Sequence, residues 1–255
     1  MRILRVLQLI GVFFRISWRW YATVQWKGHA GSIQHRAVWM KESAQALADS
    51  LRLRVRFSGT PPDQGLIVSN HLSYLDILVL GVARPTIFVS KYEVRSWPWL
   101  GWLTNCAGTL YINREQRKDV ARLKESIEQR LADGLPIAFF PEGTSTGGDA
   151  MLPFRPSLLE PASATQCQVT PACIAYHLPG GGSVMDEVCY WRDMTFGPHL
   201  WNLLGKSSIE ASVIYGTPRA ADPDRKVLAK ALQLEVEALR HQQPWPVPAK
   251  VSSLS

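Results

Sequence analysis

From residue 51 onward the chain alternates short apolar runs with stretches of helical periodicity. The runs at 66–69, 86–90, 109–112, 135–140, 170–176 and 209–215 have the length and composition of buried strands. The basic run 51–57 reads as a further strand, and Ser58-Gly59-Thr60-Pro61-Pro62 as the turn that follows it. Helical spacing covers 32–50, 75–82 (stopped before Pro85) and 117–132. In the last of these Val120, Leu123, Ile127 and Leu131 share one face, and Gly134 stands just past the end. Asp222-Pro223 supplies an N-cap and first position for a helix reaching about residue 240. No element is assigned to 141–168 or 178–208. The alternation predicts one α/β domain over 51–241, preceded by a helical arm, 1–50, and followed by a loose tail, 242–255.

The first 26 residues form a different pattern. On a helix, Arg5, Gln8, Arg15 and Arg19 fall in a stripe about 80° wide. The rest of the circumference carries Ile3, Leu4, Val6, Leu7, Leu9, Ile10, Phe13, Phe14 and Trp18. Trp18, Trp20, Tyr21 and Trp26 suit the headgroup level of a bilayer. A narrow basic stripe beside a broad apolar face predicts membrane contact through Arg5, Arg15, Arg19, Phe13, Phe14 and Trp18; the competing reading is a helix packed on its own domain. A secretory leader fits poorly, because Arg15 and Arg19 interrupt the apolar core and no small-residue cleavage site follows.

Charge sharpens that choice. The net charge is +7, yet residues 1–60 hold ten Lys and Arg against Glu42 and Asp49, while the remainder holds 18 against 19. The basic character is therefore N-terminal. It comes with no module that reads nucleic acid, so an anionic membrane surface is the expected partner. Four cysteines without CxxC spacing fit reduced thiols in a cytosol-facing protein. Six scattered histidines show no metal-ligand spacing, and His177 and His199 read as structural.

Two segments carry chemistry. Asn70-His71-Leu72-Ser73-Tyr74-Leu75-Asp76 follows an apolar strand, where α/β folds place ligands. On a continuous helix Asp76 would lie about 140° from His71. The two meet only if His71 sits in a turn, with Ser73 as the N-cap. An imidazole held by a carboxylate is a general base. The same spacing also fits a Ser73-x-x-Asp76 cap beside a structural histidine, and spacing alone leaves both open. The second segment, Phe140-Pro141-Glu142-Gly143-Thr144-Ser145-Thr146-Gly147-Gly148, also follows a buried strand. It lacks the ending of a nucleotide P-loop, and no GxSxG nucleophile elbow occurs in the chain. A base without a nucleophile points to direct transfer onto a substrate hydroxyl.

Together these residues resemble the lysophospholipid acyltransferase family, typified by the bacterial 1-acylglycerol-3-phosphate acyltransferases. Its blocks are similar to Asn70-His71-x4-Asp76, Gly108-Thr109-Leu110-Tyr111-Ile112-Asn113-Arg114, Phe140 to Thr144, and Val169-Thr170-Pro171-Ala172, in order. The resemblance implies a mixed sheet flanked by helices. It implies transfer of a fatty acyl group from acyl-CoA or acyl-carrier protein to a lysolipid hydroxyl, 1-acyl-sn-glycerol 3-phosphate first, with no cofactor or metal. It also implies His71 as base, Asp76 as its orienter, and an acceptor site of Arg114, Glu142, Gly143 and Thr144, with Lys91 on the oxyanion or donor. A monotopic position on the cytoplasmic face of the inner or plasma membrane goes with it.

One departure matters. Many members read Glu-Gly-Thr-Arg-Ser where this chain has Ser145, which removes a phosphate partner; Arg155 is the candidate replacement. The segment 190–199, Tyr-Trp-Arg-Asp-Met-Thr-Phe-Gly-Pro-His, is similar to a lyso-ornithine-lipid acyltransferase subgroup, which makes that lipid the alternative acceptor. A lipid-binding protein without catalysis and a hydrolase are the remaining alternatives. The cluster Trp97-Pro98-Trp99-Leu100-Gly101-Trp102 reads as core packing, an acyl-chain channel or a second membrane contact.

Overall fold

Continuous apolar strands need cover on both faces, and here helices supply it. The computed structural model describes residues 2–112 and 117–245. Its strands are β1 (Leu53–Ser58), β2 (Leu66–Ser69), β3 (Ile87–Lys91), β4 (Leu110–Ile112), β5 (Ile137–Phe139), β6 (Gln168–His177), β7 (Ile209–Tyr215) and β8 (Arg219–Ala220). They form one sheet ordered β1-β7-β6-β2-β5-β3-β4, with β8 against β6. The sheet is mixed. Pairings β1·β7, β2·β5, β2·β6, β3·β5 and β3·β4 are parallel, and β6·β7 is antiparallel. Parallel β2, β3, β4 and β5 therefore open their carboxyl ends toward the same edge.

The helices are α1 (Arg2–Arg19), α2 (Ile33–Leu51), α3 (Leu75–Gly81), α4 (Leu100–Cys106), α5 (Arg117–Ala132), α6 (Pro156–Thr165), α7 (Val184–Glu187), α8 (Phe196–Leu203) and α9 (Arg225–Arg240). One apolar cluster joins α1, α2, α3, α4 and α8 to one face of the sheet, and a second joins α5, α6 and α9 to the other. The pattern correctly gives α2, α3 and α5. It places the start of α9 two residues early. Asp224 is the cap, accepting the Lys226 N–H at 2.7 Å, while Asp222 forms the turn before it by accepting the Asp224 N–H at 2.7 Å.

The first 50 residues pack on the domain: Ile16, Trp20, Val24, Trp39 and Met40 share one apolar cluster with Ile67, Leu75 and Ile174. Trp39 of α2 is buried, packs edge-to-face on Trp20 at 5.2 Å, and donates its indole N–H to Ile16 O at 3.0 Å. Beyond α1 the helix widens into a π-helical stretch, Trp20–Gln25, that keeps Trp20 and Val24 inward.

Helix α1 carries two apolar faces. Ile16 is buried and Val6, Leu9, Val12 and Phe13 are packed against the core. On the opposite side Ile3, Leu7, Ile10, Phe14, Trp18 and Tyr21 recur at helical spacing and are exposed, Phe14 by 74% and Trp18 by 67%. Arg5 falls on the inner side, a correction to its expected membrane role. It is buried and its guanidinium bonds Leu204 O, at 2.9 Å, and Lys206 O, satisfying carbonyls at the end of α8. Arg15 stays exposed, and Arg19 pairs with Glu42 of α2. Among the described residues no helix is long and apolar enough to cross a membrane.

Candidate active site

The catalytic candidates sit where β2 leaves the sheet. Asn70 fixes the exit: its amide oxygen accepts the Ile174 N–H at 2.7 Å and its amide nitrogen donates to Ile174 O at 2.9 Å, docking the turn onto β6. The turn then brings His71 Nδ1 to 2.7 Å from Asp76 Oδ2, with Asp76 fully buried. The same oxygen accepts the backbone N–H groups of Leu72 and Ser73 at 2.7 and 3.0 Å, and Oδ1 accepts the Tyr176 hydroxyl at 2.6 Å. Asp76 thus holds the turn before α3 and orients His71 at once. Ser73 is not the cap. Its hydroxyl has no partner among the described residues. Burial pushes the Tyr176 phenol well above its usual value, so it stays a donor.

With Nδ1–H given to Asp76, Nε2 of His71 is the acceptor nitrogen. The ring stacks on Phe140 at 4.3 Å. Both peptide groups of His71 are held by the loop after β5: its N–H donates to Glu142 Oε1 at 2.8 Å, and its carbonyl accepts the Thr146 N–H at 2.9 Å. Glu142 Oε2 accepts the Leu152 N–H at 2.7 Å. Glu142 is only 1% exposed. Its carboxylate clamps the histidine turn to the segment at Leu152.

Burial pushes the Glu142 carboxyl up to about 7, opposed by the two N–H donors. Between the ordinary 4.5 and about 7 the folded chain then holds one more proton than the unfolded chain at this position. Stability should fall as pH rises through that window, by about 3 kcal/mol at most. Glu142→Gln should flatten this slope and weaken the clamp, because an amide N–H₂ faces a backbone N–H. Denaturant midpoints between pH 4.5 and 7.5 for both chains check this; parallel slopes would contradict it.

Known proteins resemble this chain. The protein-family profile described as Acyltransferase matches residues 52–175. A lyso-ornithine lipid O-acyltransferase from Rhodobacter capsulatus is 37% identical over 199 residues, 74% of this chain and 70% of the relative. The chain belongs to the acyltransferase family. A 1-acyl-sn-glycerol-3-phosphate acyltransferase from Neisseria gonorrhoeae is 27% identical over 186 residues, 70% of each chain. The crystal structure of the 1-acyl-sn-glycerophosphate acyltransferase PlsC from Thermotoga maritima shares the fold, with a TM-score of 0.64 and 20% identity over 96% of this chain and 100% of that one.

In this acyltransferase His71 opens onto a cavity of about 290 Å³. Lys91, Gly143 and Thr144 line it, and so do Ser145, Trp191 and Arg192. Gly143 takes φ 80° in the turn closed by its N–H on Phe140 O, a conformation that favours glycine. Arg114 lies outside the described residues. Arg155 is exposed and does not line the cavity, so the structure gives no support to it as the replacement for the absent motif arginine.

The loop 188–195 is the part that sequence reasoning placed only by likeness. Tyr190 N–H donates to Leu72 O at 2.8 Å, and the Ser145 hydroxyl donates to Tyr190 O. Gly147 admits the loop, since a Cβ there would meet the Trp191 ring at 2.6 Å. His199 bonds Cys189 O through Nε2 at 3.1 Å and so accepts the Tyr74 hydroxyl at Nδ1, 3.0 Å. Its role here is structural, and burial lowers its pKa. His177 stacks on Trp245 at 5.3 Å.

A second chamber, about 210 Å³ and apolar, lies between α1, α2, α3 and α4 and shares Tyr74, Ile77 and Leu100 with the His71 cavity. Trp99 stands at its outer edge, 72% exposed and edge-to-face on Phe13 at 5.8 Å. Its backbone has φ 63° and ψ −50°, with Leu100 N–H on Pro98 O at 2.6 Å, which is a strained γ-turn. Trp97 lines the His71 cavity and Trp102 packs on Trp39 at 5.9 Å, so the tryptophan cluster divides between core and rim.

Proposed function

We propose that the enzyme transfers a fatty acyl group from a thioester, acyl-CoA or acyl-carrier protein, to the hydroxyl of a lysolipid. The reading rests on one observation: His71 lines the cavity while its Nδ1 is bound to a buried, fully partnered Asp76. Nε2 takes the acceptor's hydroxyl proton as the oxygen attacks the thioester carbonyl. The C–S bond breaks, and the departing thiolate takes the proton back from the imidazolium. Asp76 holds the tautomer and stabilises the imidazolium. A covalent enzyme intermediate has little support. No cysteine lines the cavity among the described residues, and burial pushes the Cys106 and Cys173 thiols up to about 12. The intact base also counts against a lipid-binding protein without catalysis.

The apolar chamber beside His71 suits an acyl chain, and the outer face of α1 with Trp99 suits the interface of a bilayer. Both support a monotopic enzyme, and the N-terminal positive charge fits an anionic cytoplasmic leaflet. Of the two acceptors, lyso-ornithine lipid is favoured over 1-acyl-sn-glycerol 3-phosphate. Ser145 stands at the motif-arginine position, bound to Tyr190 O, and Arg155 is outside the cavity. The purified chain, given each acceptor with acyl-CoA and with acyl-carrier protein, should show the higher kcat/KM with lyso-ornithine lipid. A preference for the phosphate acceptor would remove Ser145 at the motif-arginine position as the feature that sets the headgroup.

A further inference from the structure

Arg192 is a cation on the His71 cavity that the transfer chemistry leaves unused. Three features separate it from an ordinary surface arginine. Its backbone is left-handed, φ 53°, which a residue with a Cβ adopts only at a cost. Its guanidinium lies 3.9 Å from the centroid of the Trp191 ring, so stacking holds the plane and leaves the N–H edges free to bond. Its loop is tied to both catalytic segments, through Tyr190 N–H on Leu72 O at 2.8 Å and the Ser145 hydroxyl on Tyr190 O. Trp191 is fixed in turn by its indole N–H on Met185 O at 3.1 Å.

Among the described residues the charges on the cavity wall have one sign. Lys91 and Arg192 line it, and no carboxylate does so among the described residues. Asp76 and Glu142 face inward onto backbone N–H groups. A stacked, oriented guanidinium at such a mouth matches a carboxylate or a phosphate oxygen pair.

We propose that Arg192, held on Trp191, binds the anionic headgroup of the lysolipid acceptor, a carboxylate or a phosphate, and thereby selects which lysolipid is acylated. This rests on the reading of the His71 cavity as the site of acyl transfer.

Arg192→Gly removes the guanidinium and suits φ 53°, so the loop should keep its fold. Arg192→Lys keeps the charge and loses the planar fork. Each is assayed as full-length protein with two acceptor pairs: lyso-ornithine lipid and its carboxyl methyl ester, and 1-acyl-sn-glycerol 3-phosphate and monoacylglycerol. Arg192→Gly should raise KM for the charged acceptor about 10- to 100-fold. Selectivity over the partner that lacks the anionic group should fall by the same factor, with the thioester KM unmoved and Arg192→Lys intermediate. The pair that shows the collapse identifies carboxylate or phosphate as the ligand. Equal losses on acceptors with and without the anionic group, or a change confined to the thioester KM, would overturn the assignment. If the unmodified enzyme acylates none of the four, the transfer reading itself fails. Calorimetric binding of the two charged lysolipids without donor then tests Arg192 alone: weaker binding by Arg192→Gly supports it, and unchanged affinity rejects it.

Discussion

His71→Ala should lower kcat for acyl transfer by about 10²- to 10⁴-fold, the range for loss of a positioned general base. KM for both substrates should change little, because the imidazole occupies one wall of a cavity whose other lining is independent of it. The fold should survive: His71 is held through its peptide N–H and carbonyl by Glu142 and Thr146, contacts that alanine keeps. Steady-state rates with circular dichroism as the control measure this. A variant that retains more than a tenth of the rate would remove His71 as the base. Asp76→Ala is a poorer test, since it also strips the acceptor from the turn at Leu72 and Ser73 and the partner from Tyr176.

The second large effect concerns the outer face of α1. Replacing Ile10, Phe14 and Trp18 together by serine should weaken binding to anionic vesicles by at least 100-fold. Each side chain offers about 1.5–3 kcal/mol on full burial, and an interfacial site realises part of that. Stability should move little, because the three are already exposed. Vesicle sedimentation and a thermal melt read the two quantities separately, and unchanged sedimentation would show that α1 is not the docking face. Deleting 2–26 asks a different question. It removes the buried Ile16, Trp20 and Val24 and the carbonyl that Trp39 bonds, so it tests folding.

The same helix shows where the sequence was legible and where it was not. A helical wheel finds apolar residues around most of α1, but it cannot divide them into a face that meets α2 and α8 and a face that meets nothing. Arg5 therefore joined the basic stripe, although a buried carbonyl pair at 204 and 206 claims it. The catalytic turn was more legible, because an Asn-His-x4-Asp run straight after a buried strand is local information. Its supports were not. Tyr176 lies 100 residues from Asp76, and only the pairing of β6 with β2 brings them together. Glu142 stands out in the sequence but its contact with His71 does not, since nothing in Phe-Pro-Glu-Gly-Thr states that its carboxylate turns back onto that residue. Helices α4, α6 and α8 are not legible, being seven to ten residues long without the unbroken apolar run that marks the equally short α3, and α6 contains Pro161.

Central to this account is direct transfer from a thioester to a lipid hydroxyl through His71. The most direct measurement follows an acyl-labelled thioester mixed with the purified enzyme and lysolipid vesicles. The label should appear in the acylated lipid in equal amount to the free thiol released, with no free fatty acid. Label recovered as free fatty acid, or thiol released without acceptor, would make the enzyme a hydrolase and contradict the account.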